Sequence, residues 1–180
     1  LKKPDLWPAH LERAQMYGKA GRYDLALADL DKMIANGAGD LQAYTLRGGA
    51  NDMLGNLEPA ASDYSAALRI TPDDPKLLLA RASVFVRLRQ YPEALDDRDR
   101  VVKLRPDAPE AYVARGGSYH LLGEHDRGLA DRGKAIELDP KNTLAHHNLA
   151  NTLMTANDQA GAMTAFRKVV ELDPTTPGAM

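Results

Sequence analysis

The stretch AIELDPKN, residues 135–142, ends a helical-looking run at Pro140. The same ending appears as ALRITPDD at Pro72, VVKLRPDA at Pro106 and VVELDPTT at Pro174, so these prolines stand 34 residues apart. Proline donates no hydrogen bond to the preceding turn, so a helix stopped on a fixed schedule marks a repeated unit. Cutting the chain on this period yields blocks 7–40, 41–74, 75–108, 109–142 and 143–176, with no insertion or deletion.

The blocks agree at particular positions. Position 8 reads Ala14, Gly48, Ala82, Gly116 and Ala150, and position 20 reads Ala26, Ala60, Ala94, Gly128 and Ala162. Position 27 is Met33, Ala67, Val101, Ala135 and Val169; position 11 is large in Tyr17, Phe85, Tyr119 and Leu153, with Asn51 the exception. Positions 4, 7, 8 and 11 fall on one face of a first helix, and positions 17, 20, 24, 27 and 28 on one face of a second. A break near position 15 separates them. Gly21, Gly55 and Gly123 there suit a left-handed helix end. Pro59 and Pro92 follow in the first turn of the next helix, where a missing N–H costs nothing.

Small residues at positions 8 and 20 let two helices approach closely, while large ones at 4, 11 and 24 fill the space around that contact. Asp74 and Asn142 are placed to cap the following first helices. One helix pair cannot bury its apolar face alone, so the pairs stack. A 34-residue helix–turn–helix with these residues resembles the tetratricopeptide repeat over essentially the whole chain. The related 35-residue repeats that read RNA fit less well. The resemblance implies an all-α fold, a right-handed superhelical solenoid of stacked antiparallel helix pairs. The domain reading is five repeats at the block boundaries in one solenoid. Residues 1–6 are then the tail of a preceding repeat and residues 177–180 the start of a further repeat or a cap. Pro4 and Pro177 keep that register, which suggests a window from a longer array.

Composition narrows the functions. The chain of 180 residues carries 23 Lys plus Arg against 25 Asp plus Glu, so no global basic field exists to hold nucleic acid. There is no Cys, and therefore neither disulfide nor thiolate chemistry. No apolar run approaches the ~20 residues of a membrane span. No nucleophile–base pair, glycine-rich phosphate loop or spaced metal motif is present, which argues against an enzyme, a cofactor or a metal. His146 and His147 are adjacent, so on a helix they point about 100° apart. The compartment stays open: cytoplasmic, or periplasmic if a signal peptide has been removed. The Ala, Arg, Asp and Leu bias resembles bacterial members of the family.

Two departures from the family pattern stand out. Position 7 is Arg13, Arg47, Arg81 and Arg115 but Leu149 in the fifth block; position 23 is Asp29, Asp63, Asp97 and Asp131 but Ala165 in the fifth. The two residues appear and disappear together, which predicts a repeated Arg–Asp ion pair, within or between repeats. Position 24 is Leu30, Tyr64 and Phe166, but Arg98 and Arg132 in the third and fourth blocks. Those arginines are expected to pair with nearby acids or to stack on Tyr112 or Tyr119; an anion site is the sharper alternative.

The resemblance implies a non-catalytic scaffold that holds a protein or peptide segment in a concave groove lined by first helices. Position 5 of that face is Leu11, Thr45, Leu79, Val113 and His147, and position 9 is Gln15, Gly49, Ser83, Gly117 and Asn151. Val86 and His120 at position 12, Lys19, Met53, Arg87 and Leu121 at position 13, and Asn148 at position 6 complete it. Small residues at position 9 leave a trough for another backbone. The clamp that grips acidic chaperone tails is not matched: Leu11, Gln15, Leu46, Lys76 and Ala80 occupy its positions. The alternative is a structural or assembly element acting through its ends, as a homo-oligomer or a spacer, with Met163, Phe166 and Val170 facing solvent on the last helix.

Overall fold

The computed structural model describes residues 6–174. Pro4 and Pro177, read above as parts of flanking repeats, lie outside the described residues. Regular structure among the described residues consists of ten helices: α1 Trp7–Lys19, α2 Tyr23–Ala35, α3 Leu41–Leu54, α4 Leu57–Ile70, α5 Pro75–Arg87, α6 Tyr91–Leu104, α7 Pro109–Leu121, α8 His125–Leu138, α9 Thr143–Thr155 and α10 Gln159–Leu172. The odd-numbered helices begin 34 residues apart.

Local chemistry sets these limits. The carboxylates of Asp40 and Asp74 and the amide oxygen of Asn142 accept backbone N–H groups in the first turns of α3, α5 and α9. Thr71, Asp139 and Asp173, each preceding a proline, are extended at ψ 82, 93 and 91°, so α4, α8 and α10 stop there. The first block lacks that proline, and Gly37 ends α2 in the left-handed region at φ 78°.

The turn inside each block follows one rule. Position 15 has positive φ throughout: Gly21 at 71°, Gly55 at 81°, Arg89 at 60°, Gly123 at 78° and Asn157 at 62°. Glycine adopts this conformation without penalty. Arginine carries a Cβ that crowds the following carbonyl, costing about 1–2 kcal/mol, and asparagine is the milder exception.

The chain divides into two compact units, Leu1–Gln90 and Tyr91–Met180. In the first, α1 packs on α2 and α3, α2 on α3, α3 on α4 and α4 on α5. Its cluster of Ala14, Ala26, Leu30, Met33, Ala43 and Ala50 is flanked by Trp7, Leu11 and Tyr17. In the second, α6 packs on α7, α7 on α8 and α9, α8 on α9 and α9 on α10. Val113, Ala135 and Ala145 form a cluster there with Tyr112 and Ile136. Every residue at positions 8, 20 and 27 is buried. Of the last-helix residues expected in solvent, Met163 is exposed, whereas Phe166 and Val170 are half-buried.

The paired charges form a ladder. Arg13 grips Asp29 through Nε at 2.7 Å and Nη2 at 2.6 Å, Arg47 grips Asp63 at 3.0 and 2.7 Å, and Arg115 grips Asp131 at 2.8 and 2.6 Å. Each pair spans 16 residues. Nη1 reaches 16 residues the other way, from Arg47 to Asp31 and from Arg115 to Asp99, both at 2.9 Å, and from Arg81 to the Ser65 hydroxyl at 2.9 Å. One guanidinium thus joins two successive blocks; position 25, which supplies the second acceptor, is invisible to a search for Arg–Asp pairs alone. The position 23 carboxylates are only 3–7% exposed, but the guanidiniums keep 20–54% of their surface in water. That split limits desolvation while giving each buried carboxylate two charge-assisted bonds. Arg115 also stacks between Tyr112 and Tyr119, 5.6 and 5.7 Å from the ring centroids. Stacking on these rings was one of the alternatives for Arg98 and Arg132; Arg115 makes it instead.

The Arg13 hydrogen bonds hold the Asp29 carboxyl at about 2 against the opposing effect of burial, with a bond to His10 adding to the depression. A folded value below the unfolded one means that this stabilisation is complete above about pH 4 and is lost as pH falls through about 2; it amounts to about 2 kcal/mol. Asp29→Asn is expected to flatten the fall in urea-derived stability between those pH values. An acid limb identical to the parent's contradicts the assignment. Arg89→Gly is expected to stabilise by about 0.5–1 kcal/mol, the relieved strain less the extra unfolded-state entropy of glycine. A lower denaturation midpoint for Arg89→Gly refutes it.

Candidate functional site

Three of the groove residues read from sequence meet in one cleft of the first unit. Thr45, Gly49 and Met53 lie at four-residue spacing on α3, on one helix face. With Leu46 and Ala50 they face Ala14 and Gly18 of α1 and Tyr23 and Ala26 of α2, around a cleft of about 230 Å³. The lining is apolar in effect, because the Thr45 hydroxyl is spent on the Leu41 carbonyl at 2.7 Å. Met53 is 64% exposed and forms a flexible lip.

Next to the cleft, an exchange of volume seats Tyr64 against α3. A Cβ on Gly48 would lie 3.1 Å from the Tyr64 ring, and one on Gly49 would lie 3.7 Å from its hydroxyl. The missing side chains let Tyr64 lie buried beneath α3. Burial, then the charges of Asp52 and Asp63, push its phenol up to about 12. Gly18 and Tyr23 line the cleft and were absent from the predicted set. The seat of Tyr64 is readable as glycine at position 8 opposite an aromatic residue at position 24.

Other predicted residues are differently placed. Leu11 packs on the core of the first unit, and Gln15 on the same helix is half-buried. Lys19 is exposed at the end of α1. On α5, Leu79 and Val86 are half-buried, and the Ser83 hydroxyl donates to the Leu79 carbonyl at 2.9 Å. Arg87 is tied to Asp52 of α3 by an ion pair and so is not a free groove cation. Val113 is 8% exposed and belongs to the core of the second unit rather than to a groove wall. Its inward turn follows from α7 packing on both α8 and α9.

Gly117 is half-buried, and Leu121 is exposed. His120 is half-buried with Nδ1 buried and unpartnered, its ring 5.0 Å from that of His125. Burial, then Arg132 and His125, hold its pKa down. His147 stacks edge-on against Phe166 at 5.8 Å. Asn148 is half-buried, its carbonyl accepting the Thr152 hydroxyl, and Asn151 is exposed.

Position 24 of the second unit departs from its expected pairing. Arg98 donates not to an acid but to the Ser118 hydroxyl of α7, at 2.7 Å. Arg132 is 4% exposed, with Nε and Nη1 buried and unpartnered. Glycine creates the space for it. A Cβ on Gly128 would stand 2.7 Å from Arg132 Nη1 and 3.1 Å from the Gly116 carbonyl oxygen, whereas the other blocks carry alanine there.

Two further clefts, each about 560 Å³, lie outside the predicted face. One runs along α1 beside Ala9, Arg13, Met16 and Tyr17. The other is bordered by Ile136, His146, Leu149, Thr164 and Ala165, where the fifth block lacks its Arg–Asp pair. No helix among the described residues is long and apolar enough to cross a membrane.

Family models described as tetratricopeptide repeat match residues 11–75 and 79–143, and residues 144–176. No curated protein sequence matches the chain. Among solved structures, MamA (41-end) from Desulfovibrio magneticus RS-1 is 24% identical, with 97% of this chain and 98% of that chain covered and a TM-score of 0.86. A crystal structure of YrrB, described as a TPR protein with an unusual peptide-binding site, is 23% identical, with 94% and 88% covered and a TM-score of 0.78. These likenesses carry the fold class: all-α, of the tetratricopeptide solenoid type.

Gly128→Ala alone is expected to destabilise by more than about 1 kcal/mol, because the displaced guanidinium has no room. Combined with Arg132→Leu it is expected to match or exceed parent stability, since the pair then resembles Ala26 with Leu30 and sheds a buried charge. Equal effects of Gly128→Ala in the parent and in the Arg132→Leu background, by denaturant titration, discard this coupling.

Proposed function

We propose a non-catalytic binding function for this chain, which belongs to the tetratricopeptide-repeat family: it holds a segment of a partner protein on its first-helix face. The observation that carries the reading is the α1–α3 cleft. Its floor is open at Gly18 and Gly49, its walls are apolar, and its lip is an exposed methionine. Such a site accepts one leucine- or phenylalanine-sized anchor, while the glycines let the attached backbone come close. The peptide-binding site attributed to YrrB, a protein of the same fold, supports the same class of partner.

Random-peptide display on the parent chain tests this. Peptides with an apolar anchor are expected, and Gly49→Trp is expected to weaken them at least tenfold while leaving the circular dichroism spectrum unchanged. Assembly through end faces predicts a different pattern: concentration-dependent mass in scattering that survives Gly49→Trp, with no peptide selected.

A further inference from the structure

One face lies open on α1 that every other first helix buries. Position 3 is buried as Ala43, Leu77, Ala111 and Ala145, and position 10 as Ala50, Val84, Ser118 and Thr152. These helices each pack on the second helix of the preceding block: α3 on α2, α5 on α4, α7 on α6 and α9 on α8. On α1 the same positions are Ala9, which is exposed, and Met16, which is 70% exposed. They border the cleft of about 560 Å³ along α1, together with Arg13, Tyr17 and Ala20.

The ladder shows what chemistry covers such a face. Arg47, Arg81 and Arg115 direct Nη1 to position 25 of the covering helix, to Asp31, Ser65 and Asp99. Arg13 holds Asp29 through Nε and Nη2, and its Nη1 has no hydrogen-bond partner among the described residues. Its side chain keeps 54% of its surface in water, against 23% for Arg47 and 20% for Arg115. In each covering helix the acceptor stands between apolar residues four before and three after it. These are Leu27 and Ile34 around Asp31, Ala61 and Leu68 around Ser65, and Leu95 and Val102 around Asp99. That spacing puts all three on one helix face. Arg22 lies over the Tyr17 ring, 5.3 Å from its centroid, and Glu12 borders the cleft. One acid opposite Arg13, rather than a run of acids, therefore suits the face.

A second copy offers the wrong charge. In head-to-tail stacking the helix laid on α1 would be α10, whose residues at these positions are Met163, Arg167 and Val170. Arg167 would then face Arg13. We propose that the Ala9, Arg13 and Met16 face of α1 docks an amphipathic helix of another protein, one that presents Asp, Glu or Ser to Arg13 between two aliphatic residues at that spacing. The surface shares no lining residue with the α1–α3 cleft and does not rest on the binding function proposed above.

The probe is a fluorescein-labelled peptide copying residues 23–36, stapled between positions 28 and 32, which are exposed in α2. The staple supplies the helix that so short a peptide does not hold alone. Titrated with the full chain by fluorescence anisotropy, the peptide is expected to bind. Its Asp31→Arg form is expected to bind roughly tenfold or more weakly, since like charges then meet. Met16→Glu in the chain is expected to weaken the parent peptide comparably, and Gly49→Trp to leave it unchanged. Arg13→Leu with Asp29→Ala, the combination the fifth block carries as Leu149 and Ala165, is expected to erase the preference between the two peptides. No binding, or a preference for the Asp31 peptide that persists in that double variant, overturns the site. Binding lost with Gly49→Trp but not with Met16→Glu moves the peptide to the α1–α3 cleft; it overturns this face and leaves the proposed function standing. A parent mass that rises with concentration in light scattering, and no longer does so with Met16→Glu, makes a second copy the occupant and overturns the charge argument.

Discussion

The structure depends on how closely two helix backbones can approach within each block. At α7 and α8 the approach is close enough that a Cβ on Gly116 would stand 3.2 Å from the Gly128 carbonyl oxygen. Elsewhere alanine suffices: Ala14, Ala26, Ala60, Ala82, Ala94, Ala150 and Ala162 are all essentially inaccessible. Close approach draws buried residues at positions such as 27 into contact, and the dispersion and hydrophobic gains of that packing hold marginal helices of 13 or 14 residues together. The αL turn at position 15 is its geometric partner, since it reverses the chain within three residues.

Charge supplies register where apolar packing is permissive. A methyl group can slide along an apolar face at little cost, but a guanidinium gripping one carboxylate in its own block and another acceptor in the preceding block cannot. The ladder keeps the carboxylates buried and the arginines partly hydrated, so it avoids the penalty of fully buried ion pairs. The fifth block ends it: Leu149 and Ala165 replace the pair, and a cleft opens beside them.

Position 24 then differentiates the two units. Below α3 it is Tyr64, and the adjoining cleft is apolar. Beside α7 it is Arg98 and Arg132, and the corresponding glycines cover unpaired charge. The same backbone position thus yields two chemistries, because the residue there lies against glycines of a first helix.

The amino-acid sequence by itself determined the helices, their 34-residue cadence and the residues that cross closely, because each follows from short-range rules: proline stops, caps, left-handed turns and 3.6-residue periodicity. Asp74 and Asn142 cap as their types require, and the correlated Arg and Asp columns foretold the pairing of Arg13, Arg47 and Arg115. Tertiary structure alone decided what lies at the ends of long side chains. The second acceptors of Arg47 and Arg115, the inward turn of Val113, the capture of Arg87 by Asp52 and the burial of Arg132 all depend on the rotamers and crossing geometry of neighbouring helices. Those are set by summed packing over several elements, and no spacing along one strand of sequence encodes that sum.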